Sequence, residues 1–201
     1  MAGKIRIARW IGLVALTLVA SGLLAGGQTA DTPSAGIDPS LLTKANAGDA
    51  SAQVAVGESY ASGTGVARNY ETAAEWYQKA ADKGDIAGEL HLAVLYRDGG
   101  EGFPRDMTKA AEWYRKAADQ GDVSAQGTMG TLYSLGQGVE QSYAEAYYWL
   151  DLAAAVKGPR QEQYAAYRQM MGAHITTDEL AEVQNREAKW KTAHPRPNAD
   201  Q

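Results

Sequence analysis

Cysteine is absent from this 201-residue chain, and histidine occurs only three times. Without cysteine there is no disulfide framework, no thiolate zinc site, no iron–sulfur cluster and no cysteine nucleophile. His91, His174 and His194 fall in separate stretches, with no HExxH and no pair at i and i+4, so no metal site is expected. Positive charge is also short. Nineteen Lys and Arg stand against 24 Asp and Glu, and a net charge of −5 argues against a nucleic-acid partner, because neutralising phosphates needs a basic surface. Gly-x-Ser-x-Gly, Ser-x-x-Lys and phosphate-loop sequences are missing too, so neither a catalytic residue nor a cofactor is expected.

What is present suits a folded chain, with 45% hydrophobic and 21% charged residues. Residues 1–27 stand apart. Lys4, Arg6 and Arg9 precede an uncharged run of 18 residues, Trp10 to Gly27, that ends in Ala25, Gly26 and Gly27. This is the pattern of a secretory signal peptide; an uncleaved anchor is the alternative, since the run sits at the lower limit for spanning a bilayer. Removing three positive charges from a net −5 leaves −8 on the exported body. Residues 28–42, which include the Pro- and Gly-containing stretch Asp31–Pro39, read as a flexible linker.

Internal repetition decides the fold class. Gly48-Asp49 recurs as Gly84-Asp85 and Gly121-Asp122 at offsets of 36 and 37, and Tyr60, Tyr96 and Tyr133 keep the same offsets. Trp76, Trp113 and Trp149 follow at 37 and 36, which places one inserted residue in the glycine-rich loop 99–102. Each unit reads as two helices, with Asp49, Asp85 and Asp122 capping the first and Asn69, Asp106 and Ser142 the second. Glu145 after Ser142, and Glu179 after Thr176, suggest capping boxes. Ala73, Tyr77, Ala80 and Ala81, like Ala110, Tyr114, Ala117 and Ala118, form the i, i+4, i+7, i+8 stripe of a buried helix face. The expectation is an all-α solenoid of three helix hairpins over residues 43–158 (about 43–79, 80–116 and 117–158), capping helices over 159–194 and a disordered tail over 195–201.

Between Thr43 and Gly158 the residues resemble the Sel-one-like repeats (SLR), relatives of the tetratricopeptide repeats. The resemblance rests on Gly130-Thr131-Leu132-Tyr133 with Gly136-Gln137-Gly138-Val139, and on Lys109-Ala110-Ala111-Glu112-Trp113-Tyr114-Arg115-Lys116-Ala117-Ala118. Ala93, Phe103 and the sequence Trp149-Leu150-Asp151-Leu152 depart from the pattern. The resemblance implies an α-solenoid with a concave surface and a non-enzymatic role as adaptor or scaffold.

On that surface the first helix of each unit is expected to expose the residues opposite its core side. These are Val54, Glu58 and Ala61, then Leu90, Val94 and Arg97, then Gly127, Thr131 and Ser134. Val54, Glu58, Leu90, Val94, Arg97 and Thr131 are therefore the candidate partner-binding residues. Leu90 and Val94 would anchor a partner; the alternative is that the superhelix turns them into ordinary core. His91 beside them would respond to pH if it met a carboxylate. The expected function is an exported, periplasmic or secreted, protein–protein interaction adaptor in the bacterial cell envelope with a protein or peptide partner. It contacts membrane only if residues 1–27 remain as an inner-membrane anchor. A peptidoglycan-related envelope hydrolase is the alternative and would need a carboxylate pair, with Glu58 and Glu89 as candidates.

Overall fold

The computed structural model describes residues 36–195; the expected signal segment, most of the linker and the tail beyond 195 lie outside the described residues. Within them are nine helices: α1 (Pro39–Asn46), α2 (Ala50–Ser62), α3 (Tyr70–Ala81), α4 (Ile86–Asp98), α5 (Met107–Asp119), α6 (Val123–Leu135), α7 (Tyr143–Ala154), α8 (Gln161–Gly172) and α9 (Thr177–Ala193). Each of α1 to α7 packs on the next in chain order, α2 also touches α4 and α9 returns to α7, which is close to the neighbour-only contact pattern of a solenoid.

The helix starts lie where the repeated capping residues place them. The carboxylates of Asp49, Asp85 and Asp122 accept from the backbone N–H groups of Ala52, Gly88 and Ala125 at 2.7–2.8 Å. Asn69, Asp106 and Ser142 accept from Thr72, Lys109 and Glu145 at 2.9, 3.0 and 3.2 Å. Three different side chains thus satisfy the same orphan first-turn donors. Thr176 and Glu179 form the reciprocal capping box at the start of α9. Glu145 does not do the same at α7: its carboxylate reaches Arg186 of α9 instead, because an arginine across the helix seam competes for it.

The alanine stripes are the core. Ala73, Ala80, Ala110, Ala117, Ala118, Ala146 and Ala153 are fully buried, with Tyr77 and Tyr114 filling the space between their turns. Small side chains at these positions let the helices approach closely, and the tyrosine rings supply the apolar area. The residue inserted in the second unit is absorbed by a tight turn in which Gly100 and Phe103 exchange backbone hydrogen bonds of 2.8 and 3.0 Å. Phe103 folds back into the core against Tyr96, ring centroids 5.0 Å apart. In the third unit Gly138 has φ +71°, and a Cβ there would come within 2.0 Å of the Met107 carbonyl, so only glycine lets this loop rest on the start of α5.

One boundary differs from the sequence reading. Residues 39–42, assigned to the linker, are the first turn of α1, because Asp38 caps Ser40 at 2.8 Å and Pro39 occupies the opening position. Ala45 of α1 sits three residues before Gly48, as Ala81 and Ala118 sit before Gly84 and Gly121. So α1 is a short version of a repeat's second helix, packed on α2. At the other end α8 follows α7 as α4 follows α3, and α9 lies against α7 through Val183 and Glu187.

Candidate interaction groove

The six residues expected on the inner wall lie on α2, α4 and α6, the first helices of the three repeats, and divide into two groups. Glu58, Val94 and Thr131, one per repeat at equivalent positions, are exposed, with Val94 37% accessible. Arg97, one turn after Val94, is half-buried. Val54 is buried and Leu90 is half-buried. Val54 is 8% accessible and Leu90 packs against the main core, where α2 and α4 also touch each other. The third residue of that column is Gly127, and a Cβ there would fall 2.2 Å from the Tyr164 ring of α8. Glycine at this place makes room for the first capping helix.

At the N-terminal end of the wall His91 Nε2 lies 3.1 Å from the Glu58 carboxylate, and the imidazole stacks on Tyr77 with centroids 4.7 Å apart. At the other end α4, α6 and α8 flank an open cavity of about 570 Å³. Arg97, Arg105, Thr131, Arg160, Tyr164 and Tyr167 are among its walls. Arg97 donates to both oxygens of Asp98, at 2.7 and 2.9 Å, and to the Tyr114 hydroxyl at 3.0 Å. Those hydrogen bonds raise the Arg97 pKa and hold the Asp98 carboxyl below its ordinary range. Arg160 donates to Ser124 at 3.0 Å and lies over the Tyr164 ring. Tyr164 is 6% accessible, and its hydroxyl has no hydrogen-bond partner among the described residues.

Arg105, Arg160 and Tyr164 were not legible as site residues. Arg105 directly precedes the Asp106 cap, as Arg68 precedes Asn69 and Gln141 precedes Ser142, so it lies in a repeated position outside the first helices, and the other two lie in or just before the first capping helix. The two carboxylates considered for catalysis have unlike surroundings: Glu58 faces the groove, whereas Glu89 is 3% accessible and accepts from Gln120 at 2.8 Å. Burial raises the Glu89 pKa, with the Gln120 hydrogen bond opposing. Among the described residues no group of three or more His, Asp or Glu is placed to hold a metal ion, and no helix is long and apolar enough to cross a membrane.

The family model of the Sel1 repeat matches residues 50–85, 86–122 and 123–155, so each repeat begins at the first helix, six or seven residues later than the boundaries read from the sequence. The chain is similar to a solved Sel1 repeat protein from Oxalobacter formigenes, with 31% identity and a TM-score of 0.55 over 62% of this chain and 92% of that one. It also matches a protective antigen of uropathogenic Escherichia coli displaying an SLR fold, with 20% identity and a TM-score of 0.41 over 80% of this chain and 51% of that one. No curated protein matches the sequence. Sel1 repeats are in general protein–protein interaction modules on a non-enzymatic scaffold.

Proposed function

This chain belongs to the Sel1 repeat family, and on that premise we propose that it is an exported, non-enzymatic adaptor that holds a protein or peptide partner in its inner groove within the bacterial cell envelope. The observation that carries this reading is the wall itself. Val94, an apolar side chain 37% accessible, lies at mid-wall between Glu58 and Thr131 and one turn from Arg97 at the mouth of the 570 Å³ cavity. An apolar anchor ringed by polar groups is the arrangement through which interfaces concentrate binding energy. Export rests on the basic start and uncharged run of residues 1–27.

In-cell crosslinking of the tagged full chain beside a Val94→Asp variant, followed by mass spectrometry, tests the adaptor. A partner captured by the parent and lost by a variant of unchanged helicity is the expected result; equal capture by both, or none by either, removes the groove reading. Val94 suits this test because its side chain is outside the core, whereas Leu90 packs against the core and an aspartate there would also weaken the fold. Intact-mass measurement of the protein recovered from the envelope checks export: loss of the first 27 or so residues is expected, and an unprocessed cytoplasmic chain contradicts it.

A further inference from the structure

We propose that the cavity at the C-terminal end of the groove recognises an acidic segment of the partner, gripping side-chain carboxylates with Arg105 and Arg160. The inference rests on the adaptor reading and adds the chemistry of what is held.

The charge around the cavity runs against that of the chain. Arg97, Arg105 and Arg160 line it with a single acidic residue, Asp98, in a protein whose net charge is −5. Asp98 is already committed to Arg97 through two hydrogen bonds, so that pair is internally neutral. The Arg105 side chain has no hydrogen bond or ion pair with any described residue, and Arg160 holds only the neutral Ser124 hydroxyl at 3.0 Å. Three guanidinium groups therefore face one concave space with a single carboxylate, Asp98, which bonds Arg97 and meets Arg105 only through its charge. A guanidinium presents its donors in a planar fork that matches a carboxylate, and such charge-assisted bonds are the strong ones.

Neutral groups of the same walls fit this occupant. Thr131 is exposed on the groove side, and the buried Tyr164 hydroxyl lacks a partner at the seam with Gly127. Val94 continues the wall with an apolar surface one turn from Arg97, so a segment with an apolar residue beside its acidic run would use both parts. The overall negative charge disfavours a polyanion as long as a nucleic acid, since most of such a ligand would lie over an acidic surface. A short acidic peptide meets only the local field.

The test uses the exported full chain and fluorescence anisotropy of a labelled hexaglutamate peptide with both ends blocked, alongside hexaglutamine and a single-stranded oligothymidylate. The parent is expected to bind hexaglutamate at least tenfold more tightly than hexaglutamine, with affinity falling as salt rises. Arg105→Gln and Arg160→Gln should each weaken it about tenfold, the loss of one charge-assisted contact. Equal binding of the two peptides, tighter binding of oligothymidylate, or undiminished binding by an Arg105→Gln, Arg160→Gln double variant with native helicity would overturn the proposal. Crosslinking at Val94 reads the adaptor role separately. A partner captured there by a protein with no preference for hexaglutamate leaves the groove in use and removes only the acidic specificity.

Discussion

Gln126 Nε2 donates to the carbonyl of Ala118 at 3.2 Å and so ties the first helix of the third repeat to the end of the helix before it. Gln53 makes the same bond to Ala45 at 3.0 Å, again eight residues upstream. The middle repeat has Glu89 at this position, and a carboxylate cannot donate to the equivalent Ala81 carbonyl. Glu89 instead accepts from Gln120 and is left with a charge to bury.

Glu89→Gln is therefore expected to stabilise the protein by about 1 kcal/mol at neutral pH, the net worth of one hydrogen bond. The folded-state pKa of Glu89 is raised by burial above its unfolded value. Its favourable contribution is present in acid, below the ordinary carboxylate range, and is lost as pH rises through the raised value. Urea unfolding of parent and variant at about pH 4 and about pH 8 checks this, and a gain no larger at the higher pH contradicts it.

An acidic pair, Asp151 and Glu187, lies at the C-terminal cap. Asp151 of α7 is opposed by burial, but hydrogen bonds from Glu187 and Arg168 outweigh it and its pKa falls; burial and the contact with Asp151 raise Glu187 of α9. A carboxyl–carboxyl hydrogen bond thus joins α7 and α9 when Glu187 is protonated, with Lys191 opposing that protonation. Glu187 stabilises the cap at low pH and loses that effect as pH rises through its raised value, while the Asp151 contribution is lost as pH falls through its lowered one. Hydrogen exchange of residues 177–193 is expected to speed up from about pH 5 to about pH 8 beyond the intrinsic rate, and Glu187→Gln should flatten that change. An identical profile in the variant would show that the pair does not control docking.

Gly127→Leu should detach α8 from α6. The Tyr164 ring already occupies the space a side chain at 127 needs, and an overpacked contact of this kind costs about 1–3 kcal/mol. Hydrogen exchange confined to 161–172 would reveal the detachment, and loss of hexaglutamate binding should accompany it because Arg160 leaves with the helix. Protection of 161–172 equal to that of the parent would refute the packing argument.

The recurring tryptophans should differ in worth although they share one repeat position. Trp76 is half-buried under the Lys79 ammonium, 3.8 Å from its ring, whereas Trp149 is 1% accessible. Trp149→Ala is expected to cost about 3–5 kcal/mol, and Trp76→Ala only about 1–2 kcal/mol because much of its surface already meets solvent. Thermal and urea unfolding compare the two, and equal losses would mean that the repeat position, not the burial, sets the contribution.

The groove was only partly legible in the sequence. Glu58, Val94 and Thr131 were found because repetition aligns them, and their equivalence survives folding as one exposed column. Val54 turns inward and Leu90 partly so, because a helical wheel gives the angle of a side chain about its own axis and not the rotation of one repeat against the next. Glu145 went astray for a related reason, since a local capping pattern cannot register Arg186 arriving from 41 residues away.

The sequence by itself determined the helices, their capped starts, the alanine and tyrosine stripes and the number of repeats. All of these depend on neighbours three or four residues apart, and the pattern is printed three times. Tertiary structure decided which of two adjacent columns is exposed, that Glu89 would be buried, and that Arg105 before α5 and Arg160 before α8 would share a cavity. Those outcomes depend on the superhelical angle summed over successive packed interfaces, a quantity carried by the whole stack and by no single segment.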